Sequence, residues 1–168
     1  ITFAADKTKQ IGVLLSGNVS ESNLKYNSNK DLVVKGEESV LFRVERGATF
    51  DVGELLNTSA NIILDSNNSN KSSLFVATGG ATIGNTNTTK LTIDKVKMTI
   101  SGKDSMGIRV EGGAQAIIGK DTQIELSGEN NVVAKVDGYY YDLDGEHQSA
   151  NDGASQLTSS LTLNNSNF

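Results

Sequence analysis

The side chains best suited to chemistry are concentrated in one stretch, residues 137–156, which reads "DGYYYDLDGEHQSANDGASQ". It holds three of the chain's four tyrosines and its only histidine. The candidate ligand-binding set is Tyr139, Tyr140, Tyr141, Asp142, Asp144, Glu146 and His147. Tyrosine rings can stack on the faces of sugars, and carboxylates accept hydrogen bonds from hydroxyl groups. The stretch therefore indicates a contact with a glycan or a protein. The alternative is a solvated excursion whose tyrosines only cover the side of the molecule.

Catalytic and metal-binding constellations are weak in this chain. Three charged residues lie close together in sequence: Asp104, Arg109 and Asp121. They alternate with positions that conform to the repeat, which is typical of charges that point outward. A glycosidase would instead need an acid and a base on either side of the bond that is cleaved. His147 has no partner fixed by spacing. The "DLDGE" run at 142–146 resembles only part of a calcium loop, which needs more oxygen ligands at set spacing. We therefore predict no enzymatic activity, no metal and no cofactor.

Composition excludes several classes of protein. The 168 residues contain no cysteine, which excludes a disulfide scaffold, thiolate zinc sites and thiol catalysis. The formal net charge is −5, and both signs are dispersed without a basic stripe for phosphate groups. No apolar run approaches the roughly 18 residues of a membrane-spanning helix. We therefore expect neither nucleic-acid binding nor membrane insertion by this segment.

A glycine-centred phrase recurs along the chain. It is part of the repeated strands and turns that must position the side chains of residues 137–156. It reads "LFRVERGATFDVG" at 41–53, "LFVATGGATIG" at 74–84 and "GIRVEGGAQAIIG" at 107–119, and its central glycines, Gly47, Gly80 and Gly113, are 33 residues apart. A second phrase, apolar-x-apolar followed by two small or polar residues, occurs at 13–17, 32–36, 62–66, 98–102, 124–128 and 161–165. The number of residues between successive copies varies. Strands joined by turns accommodate such variation in their loops, whereas helical repeats tolerate it poorly.

Alternation within the phrases predicts which side chains face inward, since successive strand residues point to opposite faces. Stacking the copies gives four apolar columns: Leu32, Ile62, Met98 and Ile124; Val34, Leu64, Ile100 and Leu126; Phe42, Phe75, Ile108 and Ala134; and Val44, Ala77, Val110 and Val136. We predict an all-β parallel β-helix of roughly six coils, with three short strands per coil. Residues 1–168 form a single segment, and 137–156 form an inserted loop. An irregular antiparallel sandwich is the alternative fold.

The same alternation assigns the outward positions. Those expected to be solvated and charged are Arg43, Glu45, Arg109, Glu111, Lys135 and Asp137. An apolar outward stripe is predicted at Val33, Ile63, Leu41, Leu74 and Val133. Such a patch can mark an interface, unless a long loop such as 18–30 or 85–90 covers it. Asn, Ser and Thr at matched corners, such as "NNSN" at 67–70, are expected to form ladders of hydrogen bonds.

The run "MTISGKDSMGIRVEGGAQAIIGKDTQIELSGENNVVAKVDG", residues 98–138, resembles coils of bacterial autotransporter passenger domains. It is most similar to the large Asn- and Lys-rich adhesins of anaerobic oral bacteria, whose repeats also alternate a "GI" strand, a glycine corner and an "I-x-x-SG-x-N" strand. The resemblance covers roughly residues 11–138. It implies a right-handed β-helix that is a segment of a longer passenger. It also implies export and display on the bacterial surface, with anchoring through an outer-membrane barrel not present in this chain.

The resemblance further implies a role in adhesion and virulence. The β-helix would act as a stalk and present loops to a glycan or protein receptor on host or bacterial cells, with the rest of the passenger adjoining at one or both ends. Two alternatives stay open. A polysaccharide lyase or hydrolase of the β-helical type would need a carboxylate-lined groove, and a structural spacer would have no ligand of its own.

Overall fold

The computed structural model describes residues 1–17, 23–26, 30–53, 60–65, 70–79, 88–138, 140–141, 147–148 and 158–164. In chain order the strands are β1 (Ile11–Ser16), β2 (Asn23–Tyr26), β3 (Leu32–Val34), β4 (Val40–Glu45), β5 (Thr49–Val52), β6 (Asn61–Leu64), β7 (Ser73–Thr78), β8 (Lys90–Ile93), β9 (Lys97–Ile100), β10 (Met106–Glu111), β11 (Gln115–Ile118), β12 (Gln123–Leu126), β13 (Val132–Asp137), β14 (Tyr140–Tyr141), β15 (His147–Gln148) and β16 (Ser160–Leu163). Across these ranges the chain is all-β, and no helix in them is long and apolar enough to span a membrane.

All the described strands except β14 and β15 form three parallel sheets, which the chain enters in turn. The first sheet has the order β1-β4-β7-β10-β13, the second β2-β5-β8-β11-β16 and the third β3-β6-β9-β12. Each strand pairs with its counterpart in the coils before and after it rather than with its neighbour in sequence. This arrangement fits a parallel β-helix, or solenoid, and it contradicts the antiparallel sandwich.

The four predicted columns are confirmed by the register of the strands. In the third sheet Leu32, Ile62, Met98 and Ile124 stand side by side, as do Val34, Leu64, Ile100 and Leu126. In the first sheet the two columns that begin at Phe42 and Val44 also pair as predicted. The rings of Phe42 and Phe75 stack with centroids 5.3 Å apart, so an aromatic contact joins these two neighbouring coils.

The copies of the apolar-x-apolar phrase do not all belong to one sheet. The copies at 32–36, 62–66, 98–102 and 124–128 begin in the third sheet, whereas β1, with the copy at 13–17, pairs with β4 in the first sheet and β16, with the copy at 161–165, pairs with β11 in the second. The second sheet has inward columns of its own, such as Val52, Ile93, Ile118 and Leu163. Since all three sheets bury alternate residues, the phrase identifies a strand without identifying its sheet.

The corner between the third and first sheets repeats one backbone conformation in successive coils. The φ angle lies between 52° and 56° at Lys9, Glu38, Lys71, Asp104 and Asn130. In four of these coils the N–H of this residue donates to a carbonyl oxygen of the following coil at 2.9 Å. A left-handed conformation costs free energy for residues other than glycine. The hydrogen bond made at these four corners offsets part of that cost.

A ladder of side-chain hydrogen bonds lies beside this corner. The N–H of Ser39 donates to Oγ of Ser72 at 3.0 Å, and the N–H of Ser72 donates to Oγ of Ser105 at 3.2 Å. The N–H of Ser105 then donates to Oδ1 of Asn131 at 2.9 Å. A ladder of the expected kind therefore exists, but it is built from buried serines. Of the proposed "NNSN" example, 67–69 lie outside the described residues.

The predicted apolar outward stripe is wrong for three of its members. Leu41 and Leu74 are fully buried in the hydrophobic core, and Val133, in the same column, packs against that core. Gly107 lies in the same column, and a Cβ added there would lie 2.6 Å from Cδ1 of the inward Ile100. The column therefore faces inward at the bend between the third and first sheets. Two consecutive residues point inward at this bend, which strict alternation does not anticipate.

Candidate functional site

The corner between the first and second sheets alternates tight turns with long excursions. Residues 46–48 and 112–114 make tight turns between β4 and β5 and between β10 and β11. Longer connections, residues 17–22, 79–89 and 138–159, leave the same corner after β1, β7 and β13. Because strands in a sheet lie about 4.8 Å apart, the points at which these connections leave alternate coils are roughly 10 Å apart along one edge. We call this corner the loop-bearing edge.

Glycine makes the tight turns of the loop-bearing edge possible. Gly47 has φ 82° and Gly113 has φ 87°, a backbone region that glycine enters without steric cost. The central glycines of the first and third copies of the repeated phrase therefore form sharp corners. Gly80, the central glycine of the second copy, lies outside the described residues. The tight turns let the chain pass directly to the second sheet, so only the other coils carry excursions here.

Hydroxyl groups close the bases of the two larger excursions. Oγ1 of Thr89 accepts the N–H of Gly47 at 2.8 Å and donates to the carbonyl of Thr78 at 3.0 Å. Each excursion thus leaves and rejoins the stack at a point fixed by one side chain.

Ser159 makes the equivalent two hydrogen bonds at the base of the connection 138–159. Its Oγ accepts the N–H of Gly113 at 2.9 Å and donates to the carbonyl of Asp137 at 2.6 Å. A repeated pair of bonds joins each loop base to the tight turn of the adjacent coil.

Sequence reasoning missed these hydroxyl residues, although a signal for them exists. Register aligns the residues just before the second-sheet strands as one column: Ala48, Thr89, Ala114 and Ser159. Alanine occupies the column where a tight turn precedes the strand, and threonine or serine occupies it where a long excursion ends. The hydroxyl in this column therefore marks a loop base.

The predicted binding residues belong to the longest excursion, and the structure describes part of it. Tyr140–Tyr141 and His147–Gln148 form a two-stranded antiparallel sheet in which Tyr141 is opposite His147. This hairpin is the one pair of strands in the described ranges that stands outside the three parallel sheets. Its register brings the aromatic run and the histidine together along the backbone. Tyr139, Asp142, Asp144 and Glu146 lie outside the described residues.

Charge pairs line the outer face of the first sheet beside the loop-bearing edge. Nε of Arg43 lies 2.9 Å from Oε2 of Glu45, and one Nη of Arg109 lies 2.9 Å from Oε2 of Glu111. The expectation of solvated charges is wrong for Arg43, Glu45 and Glu111, which are all buried. Burial strengthens such pairs but also removes the hydration of both charges, so each charge depends on its partner.

The middle coil interrupts this pattern of charge pairs. Val76 lies between Arg43 and Arg109 in register, and Thr78 lies next to Glu45 in the neighbouring column. Both are buried, and Oγ1 of Thr78 has no hydrogen-bond partner among the described residues. A charge pair is present again in the last coil, where Nζ of Lys135 lies 2.8 Å from Oδ2 of Asp137. The side chain of Lys135 is more exposed than those of Arg43 and Arg109.

The three residues considered for catalysis are distributed around the coil. Asp104 lies at the corner before the first sheet and accepts a hydrogen bond from Asn130 at 3.1 Å. Arg109 lies on the outer face of the first sheet, and Asp121 lies at the corner before the third sheet. In the ranges that the structure describes, no group of three or more histidine, cysteine or acidic residues is placed to hold a metal ion.

Comparisons with protein-family models, with curated proteins and with solved structures found no match for this chain.

Proposed function

We propose that this chain is a segment of a surface-displayed bacterial adhesin. Its stacked sheets form a right-handed β-helical stalk of roughly six coils, and its loop-bearing edge contacts a receptor on host or bacterial cells. In this proposal the parent protein is an autotransporter passenger, anchored through an outer-membrane barrel. The rest of the passenger adjoins the segment at one or both ends. The receptor is a glycan or a protein.

The observation that carries the proposal is the placement of the excursions. The connections 17–22, 79–89 and 138–159 leave one corner on alternate coils. Loops held on a rigid scaffold commonly carry binding residues, because the scaffold fixes their positions while the loops are free to vary. The hydroxyls of Thr89 and Ser159 fix the loop bases. Several loops along one edge can together contact one extended ligand.

The composition of the longest loop supports a glycan or protein ligand. Tyrosine gives a large contact area at a low cost in conformational entropy, and its hydroxyl stays available for hydrogen bonds. Three consecutive tyrosines, three acidic residues and a histidine lie within nine residues of the sequence, 139–147. This combination suits hydroxyl-rich ligands and polar protein surfaces.

A binding screen on glycan arrays and on whole cells tests the proposal. Folded protein is compared with a variant in which Tyr139–Tyr141 are replaced by alanine. We expect this variant to lose binding while its unfolding midpoint stays unchanged, because the hairpin stands outside the three parallel sheets. Gln123→Ala, a change at an exposed residue of the third sheet and away from the loop-bearing edge, is the matched control and should bind normally.

Two further variants separate the loops. Ser159→Ala should weaken binding by releasing the base of the longest excursion, whereas Thr89→Ala tests the contribution of the excursion at 79–89. Full binding by the tyrosine variant would remove this loop from the site. If neither the parent chain nor any variant binds, the result would indicate a structural spacer. If reducing sugar ends are released from a bound polysaccharide, the result would indicate an enzyme.

A further inference from the structure

The residue that follows each strand of the first sheet is glycine in four coils and arginine in one. Register aligns these positions as a single column on the loop-bearing edge: Gly17, Arg46, Gly79, Gly112 and Gly138. Arg46 is therefore the one residue of this column that carries a side chain.

The backbone of the column favours glycine. A Cβ at Gly17 would lie 2.5 Å from the carbonyl oxygen of Arg46, and a Cβ at Gly79 would overlap the carbonyl group of Gly112. The φ angle is 60° at Gly112 and 56° at Arg46. This left-handed region costs free energy for arginine and not for glycine. Glycine would therefore suit the backbone at position 46 better than arginine does, so the reason for arginine must lie in its side chain.

The choice of arginine over lysine is also specific to this part of the molecule. The chain has twelve lysines and three arginines, and all three arginines, Arg43, Arg46 and Arg109, lie in the first sheet or in the turn that follows it. Arg43 and Arg109 pair with buried carboxylates, for which a guanidinium is better suited than an ammonium group. Arg46 is 49% exposed, so burial does not account for it. The other chemistry at which arginine surpasses lysine is two-pronged binding of a ligand's carboxylate.

Contacts with the stack hold Arg46 in place. Its backbone N–H donates to the carbonyl of Gly79 at 2.9 Å, and its Nε lies 3.6 Å from Oε1 of Glu45. The carboxylate of Glu45 is fixed in turn by Nε of Arg43, 2.9 Å from Oε2. Folding therefore restricts much of the freedom of this guanidinium before any ligand arrives, which lowers the entropy cost of binding.

We propose that Arg46 binds the carboxylate of an acidic glycan at the loop-bearing edge. This inference rests on the proposed function and specifies its ligand, a glycan that contains a sialic or uronic acid. Three strand spacings, roughly 14 Å, separate Arg46 from Gly138, where the tyrosine-rich connection begins. An oligosaccharide of a few sugar units spans that distance. It supplies a carboxylate for Arg46 and hydroxyl groups for the tyrosines and acidic residues of the connection 138–159.

Paired glycans that differ only in charge test the proposal. Titrations compare sialyllactose with lactose, and oligogalacturonate with its methyl ester. We expect the parent chain to bind the acidic member of at least one pair about tenfold more tightly, as a charge-assisted hydrogen bond provides. Arg46→Gly should bind both members of that pair equally, and its urea midpoint should be unchanged or higher because glycine suits the backbone there. Arg46→Lys keeps the charge without the planar fork and should show an intermediate preference.

Lys71→Gly is the matched control, since it removes another cation from a residue with φ 52° at the corner between the third and first sheets. It should keep the parent's preference. If Arg46→Gly binds acidic glycans as tightly as the parent does, the inference is overturned. The proposed function would then stand on its own wherever the Tyr139–Tyr141 variant still loses binding. Binding of neutral glycans alone, or of protein receptors alone, would also overturn the inference. A parent chain that binds no ligand at all would overturn both.

Discussion

Two adjacent isoleucines on β11 test the stacked columns directly. Ile118 belongs to an inward column of the second sheet and is fully buried, whereas Ile117 points outward and is 42% exposed. Both residues have the same chemistry, the same strand and nearly the same position in sequence. Replacing each with alanine therefore isolates the effect of the direction in which the side chain points.

The expected losses follow from burial. Truncating a buried isoleucine to alanine removes its transfer free energy and leaves a cavity, which together cost about 2–5 kcal/mol. Ile117→Ala removes roughly half of a full transfer free energy and leaves no closed cavity, so we expect a loss of about 1 kcal/mol. The lower strand propensity of alanine affects both variants and cancels in the comparison. The inward variant should therefore be less stable by about 2 kcal/mol or more.

Urea unfolding followed by circular dichroism measures this difference. With a slope of about 2 kcal/mol per molar urea, the midpoints of the two variants should differ by about 1 M. Since stacked repeats can unfold in more than one step, NMR signals of the buried core methyl groups provide a second probe of the same transition. Equal midpoints for the two variants, or a larger loss for Ile117→Ala, would refute the assignment of inward and outward faces.

Three further changes test the corners and the surface. Ser72→Ala should cost about 1–3 kcal/mol, because a buried N–H of the preceding coil loses its acceptor; unchanged stability would show that the ladder is dispensable. Gly107→Ala should cost about 1–3 kcal/mol, because the new methyl group meets the side chain of Ile100, and part of this loss should disappear when Ile100 is also truncated. Glu129→Gln should lower the pKa of Lys103, which the hydrogen bond and charge of Glu129 hold above its ordinary 10.5. A raised pKa in the folded state means that the pair's contribution is complete at neutral pH and is lost only as the pH rises through that pKa. NMR titration of the Lys103 amine would detect the shift, and an unchanged value in the variant would contradict the assigned cause.

The inward columns could be predicted from the sequence because a parallel stack places like residues beside like residues. Phe42 lies next to Phe75 and Leu64 lies next to Ile100, so aligned phrases in the sequence become neighbours in space. The corner glycines fix the alignment of the phrases. Sheet membership could not be predicted in the same way, because the phrase at 161–165 fits the inward pattern of any of the three sheets.

The candidate site was predictable only in part. The chemistry of the tyrosine-rich stretch and its break with the repeat indicate an excursion, and the structure has an antiparallel hairpin there. The hydroxyls that close the loop bases were not predictable from chemistry, since Thr89 and Ser159 lie in a chain rich in such residues. Their meaning depends on register, which aligns them with the alanines of the tight turns.

Burial on the outer face could not be predicted from the alternation of apolar and polar residues, because alternation indicates the direction of a side chain and not what covers it. Arg43 and Glu45 point outward and are nevertheless buried as an ion pair. At the equivalent positions of the next coil the chain carries Val76 and Thr78, also buried. The stack therefore accepts both a charge pair and a largely apolar pair on this face. Buried ion pairs add little net stability over apolar residues, which explains why either can be used. Cohesion then depends on the inward columns, and the outer face beside the loop-bearing edge is less constrained in sequence.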